Sequence, residues 1–354
     1  MLLEKGEFAT SQALINQSWI AGGITVENSL LTSYGEKKGS SGIAIPGFID
    51  LQVNGHGGVD LLSAQSVLDI KKISRSLYRH GVVGYLPTLI TGPLHQTLAV
   101  MSLIESAKRE HEPGEAKILG IHLEGPFISR EKPGVHPLEY FRDPDQSVMG
   151  EYLRAGSVTM VTIAPELPGA LELISYLSSM GIVVSLGHSN ANAAQAHAGF
   201  DAGARTVTHL WNAMPAMTSR DPGLVGVALE RDDVAIQIIV DSVHLAPEVI
   251  ATTVSHCADR FIVTNDAVAP AGLGNGEFPF GTFTIDVREG VAMRSDGVIA
   301  GGVEVLGNSL TQLRAMGISR DRAIASMTAR PAALIGQEYM GLLDLGSPVQ
   351  IIAE

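Results

Sequence analysis

The chain has 354 residues, 45% hydrophobic and 17% charged, which suits one large globular domain with a small accessory one. Its formal net charge of −13, from 24 Lys and Arg against 37 Asp and Glu, excludes a nucleic-acid or anionic-membrane surface, because phosphate groups demand a basic footprint. No apolar run reaches the roughly 20 residues of a membrane span. The first residues lack a secretory pattern, and the single cysteine, Cys257, has no internal partner for a disulfide, so a cytoplasmic protein is expected.

Residues 1–45 alternate short apolar stretches with turn-forming runs such as Glu36-Lys-Lys-Gly-Ser-Ser-Gly42, and predict a few small strands outside the main core. From Ile43 the chain turns almost wholly apolar, as a strand covered on both faces should be. A strand, a turn and an amphipathic stretch then recur. Residues 63–80 place Val67, Ile70, Ile73 and Leu77 on one helical stripe; residues 168–180 do the same with Leu171, Ile174 and Leu177 behind a proline. The segment ending in Cys257 also reads as a helix, with the thiol as buried packing. Eight strands are expected, over 43–53, 82–90, 118–123, 159–163, 182–186, 206–209, 235–240 and 261–264. Eight such units predict a parallel (β/α)8 TIM barrel. The apolar tail returns to the amino-terminal strands, giving a small discontinuous β domain of residues 1–45 and 336–354 around a barrel of residues 46–335.

Polar residues fall at or just past the carboxyl ends of these strands: Gln52, Asn54, Glu124, Glu166, His188, His209, Asp241 with His244, and Asp266. In a barrel those ends converge on one mouth. Glu124, His188 and His209 form a carboxylate and two imidazoles suited to zinc with one position open for water, although each histidine alone could be a hydrogen-bonded core residue. Asp266 suits a general base and then acid, or a buried turn cap. His136, in a loop after the Glu124 strand, could donate to an oxyanion or be an exposed loop histidine. Asn212, Arg220 and His244 could hold a phosphate, against the alternative of a solvated arginine. His56, His95, His111, His197 and His256 read as loop or helix-surface residues.

Taken in order, Pro46-Gly-Phe-Ile-Asp50, His122-Leu-Glu-Gly-Pro-Phe127, Gly187-His-Ser189, Thr208-His-Leu-Trp-Asn-Ala-Met214, Asp221-Pro-Gly223, Asp241-Ser-Val-His244 and Thr264-Asn-Asp266 resemble the signatures of the N-acetylglucosamine-6-phosphate deacetylases, a branch of the amidohydrolase superfamily. The resemblance runs through the whole barrel. It implies hydrolysis of the acetamide of a 2-acetamido sugar 6-phosphate, with a small β-sandwich domain beside the barrel. By position it implies Glu124, His188 and His209 as ligands of one divalent metal, zinc first, with iron or cobalt also accepted. Asp266 takes the place of the catalytic acid/base, and His136 that of the histidine polarising the acetyl carbonyl. Asn212, Ala213 and His244 match sugar-phosphate contacts, and Arg220 matches an arginine that reaches the phosphate across a homodimer interface. Where the superfamily has His-x-His this chain has Gln52-Val-Asn54. Amides bind zinc more weakly than imidazoles, so a single metal is expected. The competing readings are an amidohydrolase acting on a related acetamido sugar or a cyclic amide, and a non-catalytic sugar-phosphate sensor. A Schiff-base aldolase is disfavoured, since no predicted strand ends in lysine.

Overall fold

The computed structural model describes residues 2–35, 39 and 42–353. Its centre is a parallel barrel of eight strands: β1 (Phe48–Val53), β2 (Val82–Ile90), β3 (Ile121–Glu124), β4 (Val158–Ile163), β5 (Val183–Leu186), β6 (Thr206–Val207), β7 (Ala235–Ile239) and β8 (Phe261–Thr264). Each is followed by one of the helices α1 (Val67–Arg79), α2 (Leu94–Arg109), α3 (Gln146–Ala155), α4 (Ala170–Ser179), α5 (Ala193–Asp201), α6 (Gly223–Glu230), α7 (Pro247–Cys257) and α8 (Leu306–Ala315). The sheet runs in sequence order from β1 to β8 with every pair parallel. Side chains of β1, β2, β3, β5 and β8 are buried throughout, which is why their sequences are mostly apolar.

The helices follow local chemistry. Ser66 accepts from the Asp69 N–H while the Asp69 carboxylate accepts from the Ser66 N–H, a capping box that starts α1 and leaves Ile70, Ile73 and Leu77 on the buried stripe. Proline does not start α4; Gly169 is its cap, in the left-handed conformation. Cys257 ends α7 and is buried.

Two predicted strands are each two. The apolar run 43–53 breaks at Gly47. Ile43–Pro46 joins a small sheet and only β1 enters the barrel. A Cβ at Gly47 would lie 2.0 Å from Cγ1 of Val83, so the backbone passes from one sheet to the other at a point with no room for a side chain. The run 118–123 likewise breaks at Gly120, with Lys117–Ile118 pairing on β2 before β3 begins.

Beside the barrel lie two small sheets, Gly6–Phe8 with Ile24–Glu27 and Leu30–Tyr34, and Ser18–Ala21 with Gln12–Ile15, Ile43–Pro46 and Val349–Ile352. Ala13, Ile24, Val26, Leu31, Ala44 and Val349 form their shared core. Positive φ at Asn16 and Gln17, and at Asn28 and Ser29, gives both hairpins two-residue turns that follow the strand twist. The predicted turn at 36–42 lies outside the described residues except for Gly39 and Gly42.

The barrel closes between β8 and β1 without a regular ladder. The segment after α8 fills the lower part of the seam: the Ile49 N–H donates to the Met327 carbonyl at 2.8 Å and the Val263 N–H to the Ser326 carbonyl at 3.0 Å. Higher up, Asp50 reaches across. Its Oδ1 accepts from the Gln52 N–H, from Oγ1 of Thr264 at 2.9 Å and from the Asn265 N–H. Its Oδ2 has no hydrogen-bond partner among the described residues. Burial pushes the Asp50 carboxyl up to about 7 despite these donors, with the charge of Asp266 adding to the rise. The folded chain therefore keeps a proton that the unfolded chain releases near pH 4, and the stability contributed by this group is lost as pH rises through about 7. Asp50→Asn, which keeps the accepting oxygen, is expected to be more stable than the wild type above pH 7, by at most about 4 kcal/mol. That advantage should shrink toward pH 5. Denaturant unfolding at the two pH values measures it, and a pH-independent difference would refute this origin.

Candidate active site

The strand ends deliver their polar residues as the sequence reading expects, and the backbone is bent to do it. His188, His209 and Asp266 follow β5, β6 and β8 with φ of 46°, 33° and 48°, left-handed values that disfavour any residue with a Cβ. Strain of this kind, of order 1–3 kcal/mol per residue, persists only where the surroundings impose it. Here the turn swings each side chain from the strand direction into the barrel mouth.

Below the mouth the barrel interior is polar. His122 on β3 bonds Oγ1 of Thr162 and the Leu51 carbonyl, and Thr162, Thr208 and Ser185 continue as a chain of hydroxyls at 2.6–2.7 Å. Burial lowers the His122 pKa to about 4, so it is a neutral structural member of this layer.

On that layer sits Glu124, the last residue of β3. Its Oε1 lies 3.0 Å from Nε2 of His209 and 3.3 Å from Nε2 of His188, and those two nitrogens are 3.2 Å apart. His188 donates from Nδ1 to the Lys132 carbonyl at 2.9 Å, which leaves a lone pair on its Nε2 when the ring is neutral. Two imidazole nitrogens and a carboxylate oxygen, all within 4.8 Å and all buried, converge on one point that a shared proton or a bound cation would satisfy. The donor set fits a divalent metal with nitrogen and oxygen ligands. Burial alone would raise the Glu124 pKa, but the imidazoles of His136, His188 and His209 hold it well below the ordinary value.

The amides standing where the superfamily has imidazoles act as donors. Gln52 Nε2 donates to Glu124 Oε1 at 2.8 Å, and Asn54 Nδ2 to Asp266 Oδ1 at 2.7 Å. Burial and then the negative charge of Glu124 raise the Asp266 pKa to about 6, partly offset by His209, His244 and the Asn54 bond.

His136 is not an exposed loop residue; it is buried. The Thr91 N–H donates to its Nδ1 at 3.2 Å, so the proton of the neutral ring sits on Nε2, which points toward Glu124 at 3.7 Å. Ala213 and half-buried Asn212 line the same pocket of about 630 Å³, and so does His244, whose Nδ1 is held by Asp241 at 2.7 Å. Arg220 is exposed and takes no part in lining this pocket. Glu166 also stays out, accepting instead from Ser189 and Asn190 beside His188. His56, expected at the surface, is buried against Ser76 and His80, and burial lowers its pKa to about 3. His95, His111, His197 and His256 are exposed as expected.

One part of the pocket was not legible in the sequence. The strands Gly276–Phe280, Phe283–Arg288 and Val291–Met293 form an antiparallel sheet; the end of its first strand brings Phe280, and the turn after its last brings Arg294 and 297–301, to the pocket wall. Arg294 pairs through Nε and Nη2 with both oxygens of Asp296, and its Nη1 donates to the Val135 carbonyl at 3.2 Å. It thereby clasps this cover to the loop that carries His136. Arg294→Ala is expected to lower kcat/KM about ten- to hundredfold by loosening that loop, with Arg294→Lys partly restoring it. Steady-state kinetics of both variants measures this; unchanged values for Arg294→Ala would show that the loop holds without the clasp.

The amidohydrolase family profile matches residues 43–353. The N-acetylglucosamine-6-phosphate deacetylase of Bos taurus is 36% identical over 327 residues, covering 88% of this chain and 79% of its own. The chain belongs to the amidohydrolase family, within the N-acetylglucosamine-6-phosphate deacetylases. The crystal structure of the deacetylase from Pasteurella multocida matches with a TM-score of 0.88 and 29% identity, covering 98% of this chain and 95% of that one. A variant of the Mycobacterium smegmatis deacetylase, solved in complex with N-acetyl-D-glucosamine-6-phosphate, matches with a TM-score of 0.88 at 27% identity, covering 99% and 95%. This family of deacetylases is metal-dependent, and the Glu124, His188 and His209 cluster could hold the ion. Among the described residues no helix is long and apolar enough to cross a membrane.

Proposed function

We propose that the chain hydrolyses N-acetylglucosamine-6-phosphate to glucosamine-6-phosphate and acetate, using one divalent metal, most suitably zinc, held by Glu124, His188 and His209. The observation that carries this reading is the convergence of those three buried lone-pair donors in one pocket with Asp266. When bound, the ion would polarise the acetyl carbonyl and make water a better nucleophile. Asp266, poised near neutrality by burial, takes the proton of the attacking water and gives it to the departing amine. His136 offers its Nε2 proton to the oxygen that gains charge. One ion rather than two is supported by Gln52 and Asn54, whose N–H groups occupy lone pairs of Glu124 and Asp266 that a second ion would need.

Asn212, Ala213 and His244 form the sugar-phosphate side of the pocket in this reading. Arg220, exposed on its own chain, reaches the phosphate bound by a partner copy in a homodimer. A cytoplasmic setting agrees with the single buried thiol of Cys257. The test is acetate release from N-acetylglucosamine-6-phosphate beside its galacto and unphosphorylated analogues, with metal measured per chain. Equal turnover of the unphosphorylated sugar would favour another amidohydrolase, and binding without acetate release would mark a sensor. Arg220→Ala should raise KM for the phosphorylated substrate at least about tenfold and leave the unphosphorylated one unaffected. An unchanged KM would remove Arg220 from the site.

A further inference from the structure

A second cavity, of about 1000 Å³, lies on the flank of the barrel between the end of α1, α8 and the strand Val349–Ile352, and shares no lining residue with the catalytic pocket. Part of its wall is apolar, formed by Ile43, Phe48, Leu310 and Ile352. Arg79, His80, Arg314 and Arg320 face the same space, and the described residues that line it include no Asp or Glu. In a chain of net charge −13, the guanidinium groups of Arg79 and Arg314, which meet no carboxylate among the described residues, make this stretch of wall locally basic.

Arg79, Arg314 and His80 are held in ways that leave capacity for a ligand. Arg79, exposed at the last turn of α1, makes no ion pair or side-chain hydrogen bond among the described residues. Arg314 donates Nη1 to the Ile318 carbonyl at 2.7 Å, which fixes the guanidinium and leaves its other N–H groups. Arg320 is engaged elsewhere, with its Cζ 3.8 Å from the Trp19 ring centroid and its Nε 3.6 Å from Oδ1 of Asp321. His80 donates from Nδ1 to the Ser76 carbonyl at 2.8 Å, which leaves Nε2 to face a ligand. Guanidinium groups match phosphate oxygens with paired hydrogen bonds, and a dianion relieves several like charges at once. The volume is that of a small-molecule site, and the apolar wall gives such a ligand somewhere to bury a ring or chain.

We propose that this cavity binds a small phosphate ester, its phosphate on Arg79, His80 and Arg314 and its apolar portion on Ile43, Phe48 and Leu310. The assignment does not depend on the reaction in the other pocket. It is tested by calorimetric titration of phenyl phosphate, inorganic phosphate and benzoate into the full chain carrying His244→Ala, which weakens phosphate binding in the catalytic pocket, with and without Arg79→Ala and Arg314→Ala. Phenyl phosphate should bind one site per chain, and the two arginine substitutions should weaken it at least about tenfold. Inorganic phosphate should bind more weakly for want of an apolar part, and benzoate for want of the second charge. In an otherwise wild-type chain the two arginine substitutions should leave acetate release unchanged. Equal phenyl phosphate affinity with and without them overturns the site. Benzoate as tight as phenyl phosphate overturns the phosphate assignment, and inorganic phosphate as tight overturns the role of the apolar wall. Should the double substitution prevent folding, Arg79→Ala alone decides by the same readout.

Discussion

Asp266→Asn is expected to keep its metal and lose turnover by about 10³-fold or more, because general acid–base groups contribute 10²–10⁴-fold and here one side chain serves both proton transfers. The amide has nearly the shape of the carboxylate and can still accept from Asn54, whose Nδ2 sits 2.7 Å from Oδ1, so the pocket should survive the change. Metal content and kcat measured on the same preparation separate the two effects. A variant with full metal and near-normal kcat would remove Asp266 from the chemistry. The sign of the pH dependence follows from the same group. Burial and the charge of Glu124 place its pKa near 6, the base is the ionised form, and activity falls as pH drops through that value. A bound cation would pull the limb lower, so the wild-type profile should show its acid limb at pH 6 or below, and Asp266→Asn should lose it.

Glu124→Gln should act one step earlier. It removes the only negative charge among the three converging donors while leaving the side-chain volume, so metal affinity is expected to fall at least about 100-fold and activity with it. His209→Ala should do the same by deleting a nitrogen ligand. Excess metal in the assay should restore part of the activity of Glu124→Gln, which an effect on folding would not allow. Full metal content in either variant would show that the ion sits elsewhere. Dialysis of the wild type against a chelator is the companion measurement and should abolish acetate release reversibly.

The barrel was legible because its strands are largely buried on both faces, so that β2, β7 and β8 stand out as mostly apolar runs with polar residues just past their carboxyl ends. Those polar residues are also why the site was legible: a histidine that ends an apolar run has few places to be other than the mouth of the barrel. The breaks at Gly47 and Gly120 were not legible, since nothing local to the run shows that Val83 or Thr159 leaves no room for a Cβ there. The cover sheet escaped for a different reason. Its strands are short and half-exposed, and although Phe283–Arg288 alternates apolar and polar residues, nothing local says that this hairpin covers the pocket; Arg294 gains its meaning from the Val135 carbonyl, 159 residues away in sequence. The burial of His56 depends in the same way on Ser76 and His80, one helix later. Asp50 could be read as part of a motif, but its unpaired Oδ2 and its place across the seam exist only in three dimensions.

The manner in which β8 meets β1 has a practical outcome for anyone wishing to trim the molecule. Because the carbonyls of Ser326 and Met327 stand in for a neighbouring strand, the polypeptide beyond α8 serves as a stave of the catalytic body before it goes on to the small sheets. Shortening the protein from its carboxyl end would therefore unlatch the reaction chamber as well as strip an appendage, and an isolated barrel engineered from this chain has to keep that stave or be given a substitute for it.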